Sequence, residues 1–160
     1  MKVSDLLKTF PAYQHLVDNR LLILPELFTL ELEPPTETSV LVRITDPDRT
    51  MGTLLHTWHS QVKAEFHDIT SESISALRAG YKVPTEKALR PISKYLSQHR
   101  EHFVVIHCGA GISRSAGVAK AFAEYTGRPN LSEYISTCKL FYPNEEVVKI
   151  LRNIWQLGVS

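Results

Sequence analysis

Cys108, Arg114 and Ser115 stand in the run His107-Cys108-Gly109-Ala110-Gly111-Ile112-Ser113-Arg114-Ser115. Their types and spacing suit a thiol that attacks a bound anion. A free thiol titrates near pH ~8.5, and a helix N-terminus or a neighbouring cation lowers that to ~3.5–7.5. Both influences meet here, which favours a thiolate nucleophile. Gly109 and Gly111 let the backbone curve without Cβ clashes. The N–H groups of Gly109, Ala110, Gly111, Ile112 and Ser113 can then turn inward as an anion nest. Arg114 adds a planar fork of donors that matches two phosphate oxygens. The expected chemistry is attack on phosphorus, a phosphocysteine, and its hydrolysis by water. Arg114 and the N–H ring would stabilise the equatorial oxygens during transfer. Ser115 would donate to the sulfur as it leaves, and His107 would order the loop by hydrogen bonding.

Such a loop needs a strand to deliver it and a helix to close it. Phe103 to Ile106 is short and wholly apolar, the pattern of a strand buried on both faces of a parallel sheet. Helical periodicity follows from Arg114 to about Tyr125, with Gly127 suited to the C-terminus. Val40 to Ile44 and Val62 to Phe66 are two further strand candidates. Residues 21–33 also look extended, because Phe28, Leu30 and Leu32 alternate with polar residues. Helices are expected at the N-terminus up to Pro11, over Thr50 to Ser60, over 85–99 with a kink at Pro91, over 130–140, and from Asn144 onward. Asn130 and Glu133 are spaced as a capping box. Residues 69–84 read as a long loop, which at that length is a candidate lid. Strands alternating with helices give an α/β domain with a mainly parallel central sheet flanked by helices. Ligands bind beyond the carboxyl ends of such strands, where Cys108 falls.

The run 107–115 resembles the HCxxGxxRS signature of the cysteine-based protein tyrosine and dual-specificity phosphatases, matched at His107, Cys108, Gly111, Arg114 and Ser115. Ala116-Gly117-Val118-Ala119 resembles the helix that continues the motif, and Tyr142-Pro143-Asn144 resembles a Pro-Asn element near the end of dual-specificity domains. The size is similar to small bacterial and phage-type members. The resemblance spans roughly residues 40–157. It implies a dual-specificity-phosphatase-like fold, a metal-independent phosphomonoesterase and phosphotyrosine or mixed phosphoprotein substrates. It also implies an aspartic acid on an upstream loop as general acid. Asp68 is favoured because it follows a strand that ends on the same side as Cys108. Asp46 and Asp48 stay open as alternatives.

The chain has 160 residues, 43% hydrophobic and 22% charged, with a formal net charge of +1. That is one ordinary domain, divided here into an N-terminal extension (1–35) and a core (36–160). No apolar run reaches the ~20 residues of a membrane span. No secretory signal is recognised, so a cytoplasmic location is expected. The near-neutral charge disfavours nucleic acid as a partner. Cys108 and Cys138 are too few and too far apart for a structural zinc site, and Cys138 reads as packing. His56 and His59 read as a surface pair. No metal or cofactor is expected. Three other readings stay open: a phosphate-recognition module without turnover, an RNA 5′-phosphatase, and sulfur transfer through Cys108. The loop carries no basic residue besides Arg114, which argues against polyphosphorylated lipids.

Overall fold

A computed structural model describes residues 1–158. Four strands form one parallel sheet: β1 (Leu21–Pro25), β2 (Val40–Thr45), β3 (Ser60–Glu65) and β4 (Val104–Cys108), in the order β1-β4-β2-β3. The burial of each strand follows its sequence. β2 and β4 lie inside the sheet and are buried at every position. β3 is an edge strand and alternates Ser-Gln-Val-Lys-Ala-Glu, with Gln61, Lys63 and Glu65 exposed.

Among the described residues, eight α-helices flank the sheet: α1 (Val3–Thr9), α2 (Gln14–Asp18), α3 (Glu26–Glu31), α4 (Ile74–Arg78), α5 (Glu86–Gln98), α6 (Arg114–Tyr125), α7 (Pro129–Thr137) and α8 (Glu145–Ile154). The α6 helix packs on β4 and β1 and also meets α7 and α8, whereas α5 packs on β3. Phe122, Leu131, Val147 and Leu151 fill the space between these helices. Thr85 caps α5 through its side chain, and Pro91 sits inside that helix. Asn144 caps α8 by accepting from Glu146 N and Val147 N.

Five sequence expectations give way to the structure. The first 35 residues are no appendage: Leu21–Pro25 pairs along β4, and Leu21 to Leu24 are fully buried. Residues 26–31 are helical rather than extended. Pro25 stands at the N-cap of α3, and Thr29 Oγ1 donates back to Pro25 O at 3.1 Å. Residues 50–59 form no helix. Thr50, Gly52, Thr53 and Thr57 are weak helix formers. The segment is fastened instead by Arg43 Nη2 donating to Gly52 O and Leu55 N donating to Leu30 O. The stretch 69–84 is not structureless, since it holds α4. At α7, Pro129 occupies the first turn and Arg128 the N-cap, which displaces the expected box at Asn130, and the helix ends before Cys138.

Candidate active site

The β4 strand ends at Cys108, and α6 begins at Arg114. Residues 109–113 bridge them in a tight arc. Gly111 adopts φ +67°, and a Cβ there would lie 2.2 Å from Pro25 N. The arc is pinned from outside: Glu26 N donates to Gly109 O, Tyr142 N to Ile112 O and Asn144 N to Ser113 O. The carbonyls of Gly109, Ile112 and Ser113 are thus engaged by neighbouring backbone. Among the described residues, no N–H of residues 109–113 donates to a protein acceptor.

Cys108 Sγ lies 3.1 Å from Ser115 Oγ at the floor of the arc, and both residues are buried. Arg114 is buried as well. Its Nη1 donates to Asp46 Oδ1 at 2.7 Å and to Phe66 O at 2.8 Å. These two contacts use both hydrogens of Nη1. Nε is buried without a protein partner. A Cβ built on Gly109 would meet Arg114 Nη2 at 3.6 Å, so this edge of the guanidinium faces the loop. Two donors are thereby left in the geometry that grips a tetrahedral anion.

His107 is fully buried and accepts from Arg43 Nε at Nε2, 3.0 Å away. An arginine can only donate, so the imidazole is neutral and carries its proton on Nδ1. Burial, with Arg43 and Arg114 close by, pushes its pKa down to about 4. Its Nδ1 is buried without a protein partner.

Asp68 follows β3 and is exposed at the rim. Its Oδ1 accepts from Ser113 Oγ at 2.7 Å and from Asn144 Nδ2 at 3.0 Å. Asp46 follows β2 and is engaged with Arg114. Asp48 occupies a left-handed turn position, φ +66°. A cleft of about 750 Å³ opens beside the rim, between Asp68, Ser113, Cys138, Phe141 and Tyr142. The structure therefore gathers Cys108, Arg114, Ser115, Asp68 and His107 around one loop.

Four contributors escaped the sequence reading. Asn144 was visible as a helix cap and as part of the Pro-Asn element, but its contact with Asp68 was not. Arg43, Glu26 and Arg49 carry no local signal, because only the parallel register and the turn after β2 bring them near. His59 is exposed and stacks on His102. Among the described residues, no three His, Cys, Asp or Glu side chains gather as a metal ligand set.

No protein-family profile and no curated protein sequence matches the chain. Solved structures do. Human DUSP28 superposes with a TM-score of 0.59 at 14% identity, over 86% of this chain and 92% of that one. The fold is that of the dual-specificity phosphatases. A human tyrosine phosphatase-like serine/threonine/tyrosine-interacting protein matches with a TM-score of 0.51 at 16% identity, over 76% and 78% of the two chains. A mouse putative dual specificity phosphatase, solved with zinc tungstate, matches at 0.51 and 15%, over 75% and 70%. In this dual-specificity phosphatase fold, the parallel sheet places the loop after β4 beside the turns after β2 and β3. No helix among the described residues is long and apolar enough to cross a membrane.

Proposed function

We propose that the protein is a phosphatase that hydrolyses phosphomonoesters through a phosphocysteine on Cys108, acting on phosphotyrosine or mixed phosphoprotein substrates. One observation carries the reading. The Cys108 thiol lies at the floor of a loop whose N–H groups and Arg114 Nε lack protein acceptors. A buried donor without a partner, as Arg114 Nε is, is costly, and a phosphate oxyanion would satisfy it together with the N–H groups of the loop. Tungstate, held by the mouse neighbour, contains a tetrahedral oxyanion of the kind this loop would fit.

In the first step the Cys108 sulfur bonds to phosphorus as the ester P–O bond breaks. The leaving oxygen takes the proton of Asp68. Both contacts to Asp68 fall on Oδ1, which leaves Oδ2 to carry that proton. In the second step water attacks phosphorus, Asp68 takes up the water's proton, and the S–P bond breaks. The Ser115 hydroxyl donates a hydrogen bond to the departing thiolate and keeps its proton. Arg114 grips the transferring group through Nε and Nη2 while Asp46 holds the guanidinium from behind. Charge stabilisation by fixed donors of this kind is the largest contribution to such transfers. The scheme uses no metal.

The test is hydrolysis of an aryl phosphate in the presence of EDTA. Turnover that survives EDTA and vanishes with Cys108→Ser supports the reading. Tungstate binding without any turnover in the wild type would instead indicate a recognition module.

A further inference from the structure

Arg49 is placed by a strained turn. Asp46-Pro47-Asp48-Arg49 closes with Arg49 N donating to Asp46 O, and Asp48 takes φ +66°. An Asp in that conformation is uncommon and signals a constrained position. The turn swings the Arg49 side chain back over the phosphate loop. A Cβ built on Gly109 would meet Arg49 Nη1 at 3.7 Å, almost as near as Arg114 Nη2. Glu26, nearly buried, holds the other nitrogen, Nη2, at 3.4 Å. The Arg49 side chain is half exposed, so Nη1 is available to a ligand seated on the loop.

Arg49 also lines another cavity, of about 600 Å³, which shares no lining residue with the Tyr142 cleft. Arg43, Lys63 and His56 line it too, against one carboxylate, Glu65. Arg43 and Lys63 are register partners across β2 and β3. Two residues of its wall, Thr45 and Trp58, hold buried polar atoms without partners, Oγ1 and Nε1. This basic, donor-rich cavity thus meets the phosphate loop at Arg49.

We propose that Arg49 and this cavity form a second anion subsite, which takes a second phosphate carried by the same substrate. The inference rests on the phosphatase reading and narrows its substrates to phosphomonoesters with two phosphates. A doubly phosphorylated peptide and an inositol bisphosphate share that chemistry.

The experiment measures binding, so that it stands apart from turnover. The Cys108→Ser protein is titrated by calorimetry with a doubly phosphorylated peptide and with its singly phosphorylated counterpart. The same comparison is made with myo-inositol bisphosphate and monophosphate. The second phosphate should tighten binding about tenfold in at least one pair, the effect of one partly exposed charge-assisted hydrogen bond. The pair that responds names the source. Adding Arg49→Ala should reduce that preference to near unity, and adding Arg49→Lys should retain part of it. Equal affinities in both pairs, or a preference that survives Arg49→Ala, would overturn the subsite. Either result leaves the phosphatase reading to its own turnover test. A preference without wild-type turnover would sustain the subsite and end the enzymatic reading.

Discussion

Arg43 on β2 donates from Nε to His107 Nε2 across 3.0 Å, one residue before the Cys108 thiol. The two residues are register partners in the parallel ladder, so the contact is set by strand pairing. The same guanidinium reaches Gly52 O in the segment after β2. One side chain therefore ties the strand that carries the nucleophile to the wall of the basic cavity.

The neutral state of His107 has a cost in acid. Its folded pKa of about 4 lies below the ordinary imidazole value of 6.5. Between those values the unfolded chain binds a proton that the folded chain does not. Stability is therefore full above pH ~6.5, falls as pH drops toward ~4, and levels off below, with a total on the order of 3 kcal/mol. Urea unfolding at several pH values should show this slope, and His107→Asn should flatten it. An unchanged slope in His107→Asn would remove His107 from the acid response.

Asp68→Asn keeps an oxygen to accept from Ser113 and Asn144 but cannot deliver a proton. The value of kcat should fall ~10²–10⁴-fold on esters with poor leaving groups and much less on p-nitrophenyl phosphate. Asn144 tests how Asp68 is held. Asn144→Ala loses both the α8 cap, at about 1 kcal/mol, and the tether to Asp68. Asn144→Ser can restore the cap alone. Near-normal stability with lowered kcat in the Ser variant would show that the tether matters to the chemistry.

Gly111→Ala should fail in a specific way. At φ +67° its Cβ would sit 2.2 Å from Pro25 N and 2.3 Å from Leu24 C, both backbone atoms of β1. Backbone cannot yield as a side chain can, so the loop must leave its arc. Tungstate affinity should be lost even where circular dichroism shows the sheet intact. Retained tungstate binding would contradict the role of the arc.

Arg114→Lys keeps a charge but not the fork. A lysine cannot bond Asp46 and Phe66 O while presenting two parallel donors to the loop. Loss of one preorganised donor costs about 10²–10³ in kcat, and this variant should fall at least that far. Asp46→Asn should have a smaller effect, because the Phe66 O contact remains. Steady-state kinetics on p-nitrophenyl phosphate distinguish the two, and equal losses would mean that Asp46 does more than brace Arg114.

The sheet's inner strands were legible because Val40 to Ile44 and Phe103 to Ile106 are apolar throughout, as buried parallel strands must be. The loop was legible because all its residues are contiguous. What escaped depends on distance. The alternation of Phe28, Leu30 and Leu32 imitates a strand, yet Pro25 starts a helix there. Leu54 and Trp58 have helical spacing, yet their segment is held by Arg43 and Leu30 from elsewhere. Asp68 could be placed at the correct sheet end from strand order alone, whereas its partners Ser113 and Asn144 lie 45 and 76 residues away.

The most direct measurement is to quench wild-type protein with acid during turnover of p-nitrophenyl phosphate and map phosphate by mass spectrometry. The account predicts a phosphorylated peptide with the label on Cys108, absent in Cys108→Ser and longer-lived in Ser115→Ala. Phosphate on another residue, or turnover that persists in Cys108→Ser, would contradict it.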